Sequence, residues 1–329
     1  MVANPLSLVP SMQDDLRRVE TELLKVVTAT DEFVTDVASH LINAGGKRVR
    51  PGFCIAAAAV CQTHNQPASL ETIRGSCAVE LVHIGSLYHD DVMDDASTRR
   101  GVKSINAEWG NLRAILAGDY LLGRASELAA ALGTEVAGLL ATTITELCTG
   151  QILELESSYS TERSLEQYQK SIAGKTASLL ATACRIGGIV AGAKRPTIEA
   201  LTAFGRAYGM AFQIVDDIFD VVGSTAQLGK PAGNDLLEGI YTLPVIYALG
   251  DASVATELRS LLSEDITIKQ RDRAAQLIRT SGGVQGAIDA AQDWTNQASE
   301  ALALLPNTAG AKALRAAGQH LIERFNTVR

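Results

Sequence analysis

Residues 81–101, LVHIGSLYHDDVMDDASTRRG, place a cluster of carboxylates at the end of an otherwise apolar run, with two arginines just beyond it. At about 3.6 residues per helical turn, Asp90 and Asp94 share one face with Asp91 beside them, an arrangement that can hold a divalent metal ion. One such cluster is ordinarily a solvated helix end, because runs of charge face water. The spacing recurs, however, in AFQIVDDIFDVVG, which sets Asp216, Asp217 and Asp220 in a second apolar run.

Outward from these motifs the chain reads as helix nearly throughout. Leu16, Val19, Leu23 and Val26 recur at helical spacing after Ser11, which with Asp14 resembles a capping box, and Asp14 is expected to pair with Arg18 at i,i+4. Breaks fall at Gly45-Gly46, Gln66-Pro67, Gly101, Gly133, 192–196, 223–233, Gly250, Gly282-Gly283 and Pro306. The Ala- and Leu-rich segments between them have the length of helices, and alternating strand patterns bounded by hairpin turns are absent. No linker, charge block or fixed-period repeat divides the chain. A single all-α domain over residues 1–329 is expected.

At 329 residues, with 47% hydrophobic and 20% charged, the composition is that of a soluble globular protein with a large core. A formal net charge of -8 and a pI near 5.2 oppose nucleic-acid binding, which calls for a basic patch or stripe. Cys54, Cys61, Cys77, Cys148 and Cys184 are odd in number, include no CxxC pair and lie mostly among aliphatic residues, as buried hydrophobes in a reducing compartment do. The opening MVANPLSLVP has no basic region followed by an apolar core. The longest apolar run, 53–61, is about half of what a membrane span needs. Neither a signal peptide nor a transmembrane segment is expected, and the predicted location is the cytoplasm.

Basic residues gather locally. In GGKRVRP, residues 45–51, paired glycines close one helix and Pro51 suits the start of the next. Lys47, Arg48 and Arg50 crowd this junction, where cations beside helix-start N–H groups can hold a phosphate; a solvated basic turn is an equal alternative from the motif alone. A P-loop is excluded, since GxxxxGK[ST] is missing. Stepping back from Asp90 along its helix face finds Leu87, Ser86, His83 and Val82, and a histidine so placed is more often a hydrogen-bonded core residue than a ligand. His89 adjoins the aspartates, either tuning or capping them. Arg99 and Arg100 bring two guanidiniums near the carboxylates, the combination that binds diphosphate through Mg²⁺, although arginine pairs also end ordinary helices. Farther on, GQILELE puts Gln151 and Glu154 at i,i+3, SIAGKTASLL sets Lys175 and Thr176 in a small-residue helix, and Gln213 shares a face with Asp216 and Asp217. The segment GSTAQLGKPAGNDLLEG carries Lys230 and Asp235, and is either a loop that closes over a site or a plain surface loop.

Taken in order, GGKRVRP, HDDVMDDASTRRG, INAEWGN, LAGDYLL, GKTASL, AFQIVDDIFD, GKPAGNDLLEG and TLPVIYAL resemble the trans-polyprenyl diphosphate synthases of the isoprenoid synthase family over most of the chain. The resemblance implies a helix bundle around a deep central cavity, a homodimer, and two aspartate motifs facing each other near the cavity mouth. It implies that Asp90, Asp91 and Asp94 with Asp216, Asp217 and Asp220 hold the Mg²⁺ ions, commonly three, that bind the allylic diphosphate. Arg99, Lys175, Thr176, Gln213 and Lys230 would contact that diphosphate. Lys47, Arg50, His83 and Arg100 match the positions that bind isopentenyl diphosphate.

Such an enzyme ionises the allylic C–O bond, with Mg²⁺ as Lewis acid and fixed cations stabilising the leaving diphosphate. The alkene of isopentenyl diphosphate attacks the cation, and a proton is lost to the departing diphosphate. An apolar cavity excludes water and houses the growing chain. In the family, bulky aromatics four or five positions before the first motif aspartate shorten the product. Ser86 and Gly85 stand there, and residues 125–150 contain no aromatic. The expected product is longer than farnesyl, hexaprenyl to decaprenyl, as would serve a quinone side chain or a lipid carrier delivered to a membrane.

Two departures stand out. Ile240 replaces a lysine common in the family, and Lys103, Ser104 and Ile105 replace R-P-T, which is expected to alter a loop rather than the chemistry. A geranylgeranyl or farnesyl diphosphate synthase would differ in product length. A terpene cyclase usually carries a different second metal motif, and a non-catalytic subunit of a heteromeric synthase tends to lose one motif. Both motifs are whole here, which favours chain elongation.

Overall fold

The computed structural model describes residues 4–62, 66–223 and 233–326. The segments between the glycine and proline breaks form helices: α1 (Met12–Val27), α2 (Glu32–Asn43), α3 (Val49–Ala59), α4 (Leu70–Met93), α5 (Ile105–Trp109), α6 (Asn111–Ala131), α7 (Thr134–Glu156) and α8 (Leu165–Ile172). After a π-helical turn, Ala173–Ala177, come α9 (Ser178–Val190), α10 (Arg195–Val222), α11 (Asn234–Leu237), α12 (Leu243–Leu249), α13 (Ala255–Leu261), α14 (Ile268–Thr280), α15 (Gly283–Ala301) and α16 (Ala309–Asn326). The all-α expectation holds, with one small addition. Thr98–Arg99 (β1) pairs antiparallel with Val102–Lys103 (β2) across Arg100 and Gly101, whose φ values of 54° and 78° give the left-handed two-residue turn that suits strand twist. Lys103 therefore sits in β2 opposite Thr98, and Ser104 stands at the start of α5.

The chain gathers into two compact units. The first takes the described parts of Met1–Ile144, Leu179–Thr202 and Leu304–Ala316; the second takes those of Thr145–Ser178, Ala203–Ala303 and Ala317–Arg329.

In the first unit, α4 is buried over most of its length and packs along α6. Small residues set that spacing: a Cβ on Gly85 would stand 3.1 Å from the Gly118 carbonyl oxygen, and one on Gly118 would stand 2.3 Å from His89 Nε2. The smallness of Gly85 thus has a helix-packing cause of its own. α4 begins on a Ser69 hydroxyl that accepts from the Thr72 N–H. The capping box expected at Ser11 does not form, since its side chain makes no capping bond. Asp14 pairs with Arg17 and Asp15 with Arg18, rather than Asp14 with Arg18, because Asp15 is buried and its second oxygen accepts from the Ala68 N–H.

In the second unit, Val221, Tyr241, Val245, Leu258, Ala274 and Ile278 form the centre of an apolar cluster. The helices around it carry strong starts: Ser164 with Gln167 and Thr267 with Gln270 form reciprocal capping boxes on α8 and α14.

Among the described residues α7 is the one helix long and apolar enough to cross a bilayer, a property that core helices of soluble proteins share. A search for unbroken apolar runs misses it because Thr142, Thr143 and Thr145 interrupt the aliphatic residues. It buries Thr143, Gln151 and Glu154 and exposes Ile152 and Leu155.

Candidate functional site

The first aspartate motif ends α4. Asp91 is fully buried, and its Oδ1 accepts from Arg99 Nε at 2.6 Å. Its Oδ2 is buried with no hydrogen-bond partner among the described residues. Burial pushes this carboxyl up from its ordinary pKa, against the pull of the Arg99 guanidinium. Asp90 is half-buried and Asp94, the helix C-cap, is exposed. Asp95 ends the helix with a left-handed φ of 47°, a conformation that short polar side chains tolerate, so it acts as a stop signal. His89 turns toward α6, with Nε2 3.1 Å from the Ile115 carbonyl oxygen.

The basic cluster lies in the same unit. Arg48 is 4% exposed and spends its guanidinium on Glu20 (2.5 and 2.9 Å), on Glu80 (2.9 Å) and on the Ile42 carbonyl. It is a structural cation, and the buried Glu80 at its centre gave no sign of this role in the sequence. Arg100 donates to the carbonyls of Leu41 and Gly45, which the glycine turn at 45–46 presents. Arg50 keeps a buried Nε without an acceptor among the described residues, and burial pulls its pKa down. His83 is held neutral, its pKa well below the usual value through burial and then through Arg50, Arg100, Arg48 and Arg99. The charges of Arg50 and Arg100 therefore act on a neutral His83, while Lys47 is exposed. Ser86 is half-buried, its hydroxyl donating to the His83 carbonyl at 2.9 Å.

The second unit brings together Lys175, Thr176, Gln213 and Asp217. The π-helical turn carrying Lys175 and Thr176 is clamped by close backbone approaches. A Cβ on Gly174 would stand 2.4 Å from the Glu146 carbonyl oxygen, one on Gly150 2.5 Å from Lys175 N, and one on Gly209 2.5 Å from Ala177 Cα. A π turn of this kind often marks a functional site. Thr176 Oγ1 donates to Gln213 Oε1 at 2.6 Å, and Gln213 Nε2 donates to Asp217 Oδ1 at 2.9 Å. Tyr168, fully buried, donates its hydroxyl to Asp217 Oδ2 at 2.6 Å. Burial pushes Asp217 up to about 7, aided by Asp216 and Glu154 and opposed by the two donors. Lys175 Nζ meets Glu154 Oε1 at 2.5 Å. Asp220 is buried, its Oδ2 accepting from the Asp235 N–H at 3.2 Å, whereas Asp216 is exposed. A cavity of about 100 Å³ is lined by Lys175, Gln213, Asp217, Asp235, Ile240 and Arg163 among others. Lys230 lies outside the described residues, as do the other residues of 224–232; the end of the segment read as a loop is instead helical, as α11.

Among the described residues, no three His, Cys, Asp or Glu side chains form a closed metal cage. Magnesium does not need one: it binds through one or two carboxylates, keeps several waters and takes substrate phosphates. The motif donors are all carboxylate oxygens, Asp91 Oδ2 lacks a donor, and Asp217 is left partly protonated by burial. Hard oxygen donors of this kind fit Mg²⁺.

Two residues of the second cluster escape sequence reasoning. Tyr168 lies one heptad before Lys175 on the same helix face, a signal that stepping back from GKTASL would have found. Arg163 precedes α8, beyond the reach of helical periodicity, and stands in no motif.

Three comparisons bear on these clusters. The sequence model of the family described as polyprenyl synthetase matches residues 31–279, a span that includes every residue named in both clusters except Glu20. The chain is 41% identical over 309 residues to the nonaprenyl diphosphate synthase of Mycobacterium tuberculosis, covering 93% of this chain and 91% of that protein. It is 44% identical over 252 residues to heptaprenyl diphosphate synthase component 2 of Geobacillus stearothermophilus, covering 76% and 77%. Its fold matches the crystal structure of a polyprenyl synthase from Caulobacter crescentus CB15 complexed with calcium and isoprenyl diphosphate, with a TM-score of 0.87, 32% identity and 96% of each chain covered.

Proposed function

This chain belongs to the polyprenyl synthetase family, and from that premise we propose that it condenses isopentenyl diphosphate with an allylic diphosphate, releasing diphosphate and giving a trans-polyprenyl diphosphate longer than farnesyl. One observation carries the reading: Lys175, Thr176 and Gln213 are gathered around Asp217, so that a cation, a hydroxyl and an amide stand beside an oxygen donor for a metal. The neighbour from Caulobacter crescentus binds a divalent cation together with isoprenyl diphosphate, which supports the same use here.

Asp90, Asp91, Asp94, Asp216, Asp217 and Asp220 would hold Mg²⁺, three ions with substrate bound, and the metal supplies Lewis acidity to the leaving diphosphate. Arg99, Lys175, Thr176 and Gln213, with Lys230, bind the allylic diphosphate and stabilise the charge that develops on it. Lys47, Arg50, His83 and Arg100 bind isopentenyl diphosphate. The free Nε of Arg50 and the neutral, donor-capable His83 suit a phosphate that brings its own charge.

The long product rests on the small, half-buried Ser86 and on the products named for the relatives. The test is mass analysis of what the purified chain alone makes from Mg²⁺, isopentenyl diphosphate and farnesyl or geranylgeranyl diphosphate. A main product of farnesyl length refutes the length assignment. Ser86→Phe should shorten the product without stopping turnover. A homodimer is part of the proposal, supported by the exposed apolar residues of α6, with Leu112 79% and Leu116 67% exposed. The relative that is one component of a heteromeric synthase favours a second reading, in which the chain works with a different subunit. Equilibrium sedimentation and activity of the chain alone separate the two. The cytoplasm is the proposed location, supported by five free cysteines, of which Cys54, Cys77 and Cys184 are buried.

A further inference from the structure

Arg163 is 5% exposed, and its Nη1 donates to the Tyr241 carbonyl at 3.0 Å. Its guanidinium carbon lies 5.5 Å from the centre of the Tyr168 ring. The other two nitrogens, Nε and Nη2, are buried with no acceptor among the described residues. These two carry the parallel N–H bonds of one guanidinium edge, the edge that grips a pair of anionic oxygens. A buried charged donor without a partner is costly, and such groups persist where something completes them. Burial pulls the pKa of Arg163 below the usual arginine value, which Glu154, Tyr168 and Asp217 only partly offset.

No carboxylate among the described residues accepts from this edge. Glu154 is engaged by Lys175, and both oxygens of Asp217 accept from Tyr168 and Gln213. Arg163 lines the same cavity as Lys175, Gln213 and Asp217, and the wall beside it at Ile240 is neutral.

We propose that Arg163 is a substrate-binding residue whose free Nε and Nη2 edge receives two oxygens of the allylic diphosphate. The assignment rests on the function proposed above and adds to it a cation that no sequence motif contains.

The experiment compares the full-length chain with Arg163→Gln and Arg163→Lys. Calorimetry measures the binding of inorganic diphosphate in the presence of Mg²⁺, and steady-state assays give KM for each substrate. Arg163→Gln is expected to weaken diphosphate binding and raise the allylic KM by about tenfold to a hundredfold, the scale of hydrogen bonds to a charged group. The KM for isopentenyl diphosphate should stay within about twofold. Arg163→Lys keeps a charge but loses the parallel pair, so it should fall between, and it keeps the comparison available if the glutamine variant does not fold. Unchanged diphosphate binding in a folded variant overturns the assignment. So does an equal rise in both KM values together with a lower Tm, which would make Arg163 only an anchor for the Tyr241 carbonyl. If the wild-type chain itself fails to bind magnesium diphosphate, the functional reading falls, and the role of Arg163 with it.

Discussion

Tyr168→Phe isolates one hydrogen bond at the second aspartate motif. Tyr168 is 1% exposed, so phenylalanine retains the ring and the packing and removes only the hydroxyl, which stands 2.6 Å from Asp217 Oδ2. Its pKa lies well above the ordinary tyrosine value because of burial and Asp217, so the group is a neutral donor. Without it the buried carboxylate is held at one oxygen only, by Gln213, and keeps its proton more firmly. Both effects weaken its hold on a cation. A hydrogen bond to a charged group contributes about 1.5–3 kcal/mol, or a factor of roughly 10 to 150, and loss of a partner that orients a metal-binding group typically costs about 10- to 100-fold in affinity or activity.

The assay is product formation titrated with Mg²⁺ at saturating substrates, in parallel with thermal unfolding. The expected result is an apparent Mg²⁺ constant raised at least about tenfold, with Tm changed by no more than a few degrees. Thr176→Val, whose hydroxyl reaches Asp217 only through Gln213, should shift the constant less. A Tyr168→Phe enzyme with the wild-type Mg²⁺ dependence would refute the assignment of Asp217 as a metal-binding group oriented by Tyr168.

Asp90→Ala or Asp216→Ala should lower turnover by at least about a hundredfold, the scale for removing a group that stabilises transition-state charge, and near-normal turnover would refute the metal assignment. Arg48→Met removes the guanidinium hydrogen-bonded to the buried Glu80 and leaves Arg100 at 3.9 Å, so it should destabilise the chain by about 3 kcal/mol, read as a fall in Tm. Gly174→Ala forces a methyl against the backbone of Glu146 and should lower both Tm and affinity for the allylic substrate, because the displaced turn carries Lys175 and Thr176.

The helices were legible because their signals are local. Glycine pairs, prolines and a 3.6-residue apolar period act within a few residues, and the described helices begin and end near those marks. The first turn of α1 shows the limit of such reading. Ser11 and Asp14 have the spacing of a capping box, but Asp15 is buried against the backbone of Ala68, more than fifty residues away, and the arginine pairings shift by one to follow it. β1 and β2 are two residues each, too short for any alternation to register. α7 has no unbroken apolar run of bilayer length because threonines divide its aliphatic residues.

The site was legible to the extent that its chemistry is written in ordered motifs, and illegible where it depends on what fills a space. GGKRVRP presents three cations of equal standing, yet Arg48 is consumed by Glu20 and Glu80 while Arg50 retains a free donor; the difference comes from Glu80, whose charge in the apolar interior of α4 had no visible partner in the sequence. Gly85 illustrates the opposite hazard. Its small size suggests an opening for a growing chain, but a Cβ there would meet the Gly118 carbonyl at 3.1 Å, so close packing of α4 on α6 accounts for glycine at that position whatever the product. Of the two small residues, Ser86 is the one whose enlargement separates product length from helix packing, because its side chain already occupies half-buried space and its hydroxyl bonds to its own helix. A product-length effect at Ser86 without a loss of stability would therefore locate the elongation wall on this face, whereas a loss of stability with an unchanged product would assign the face to packing alone.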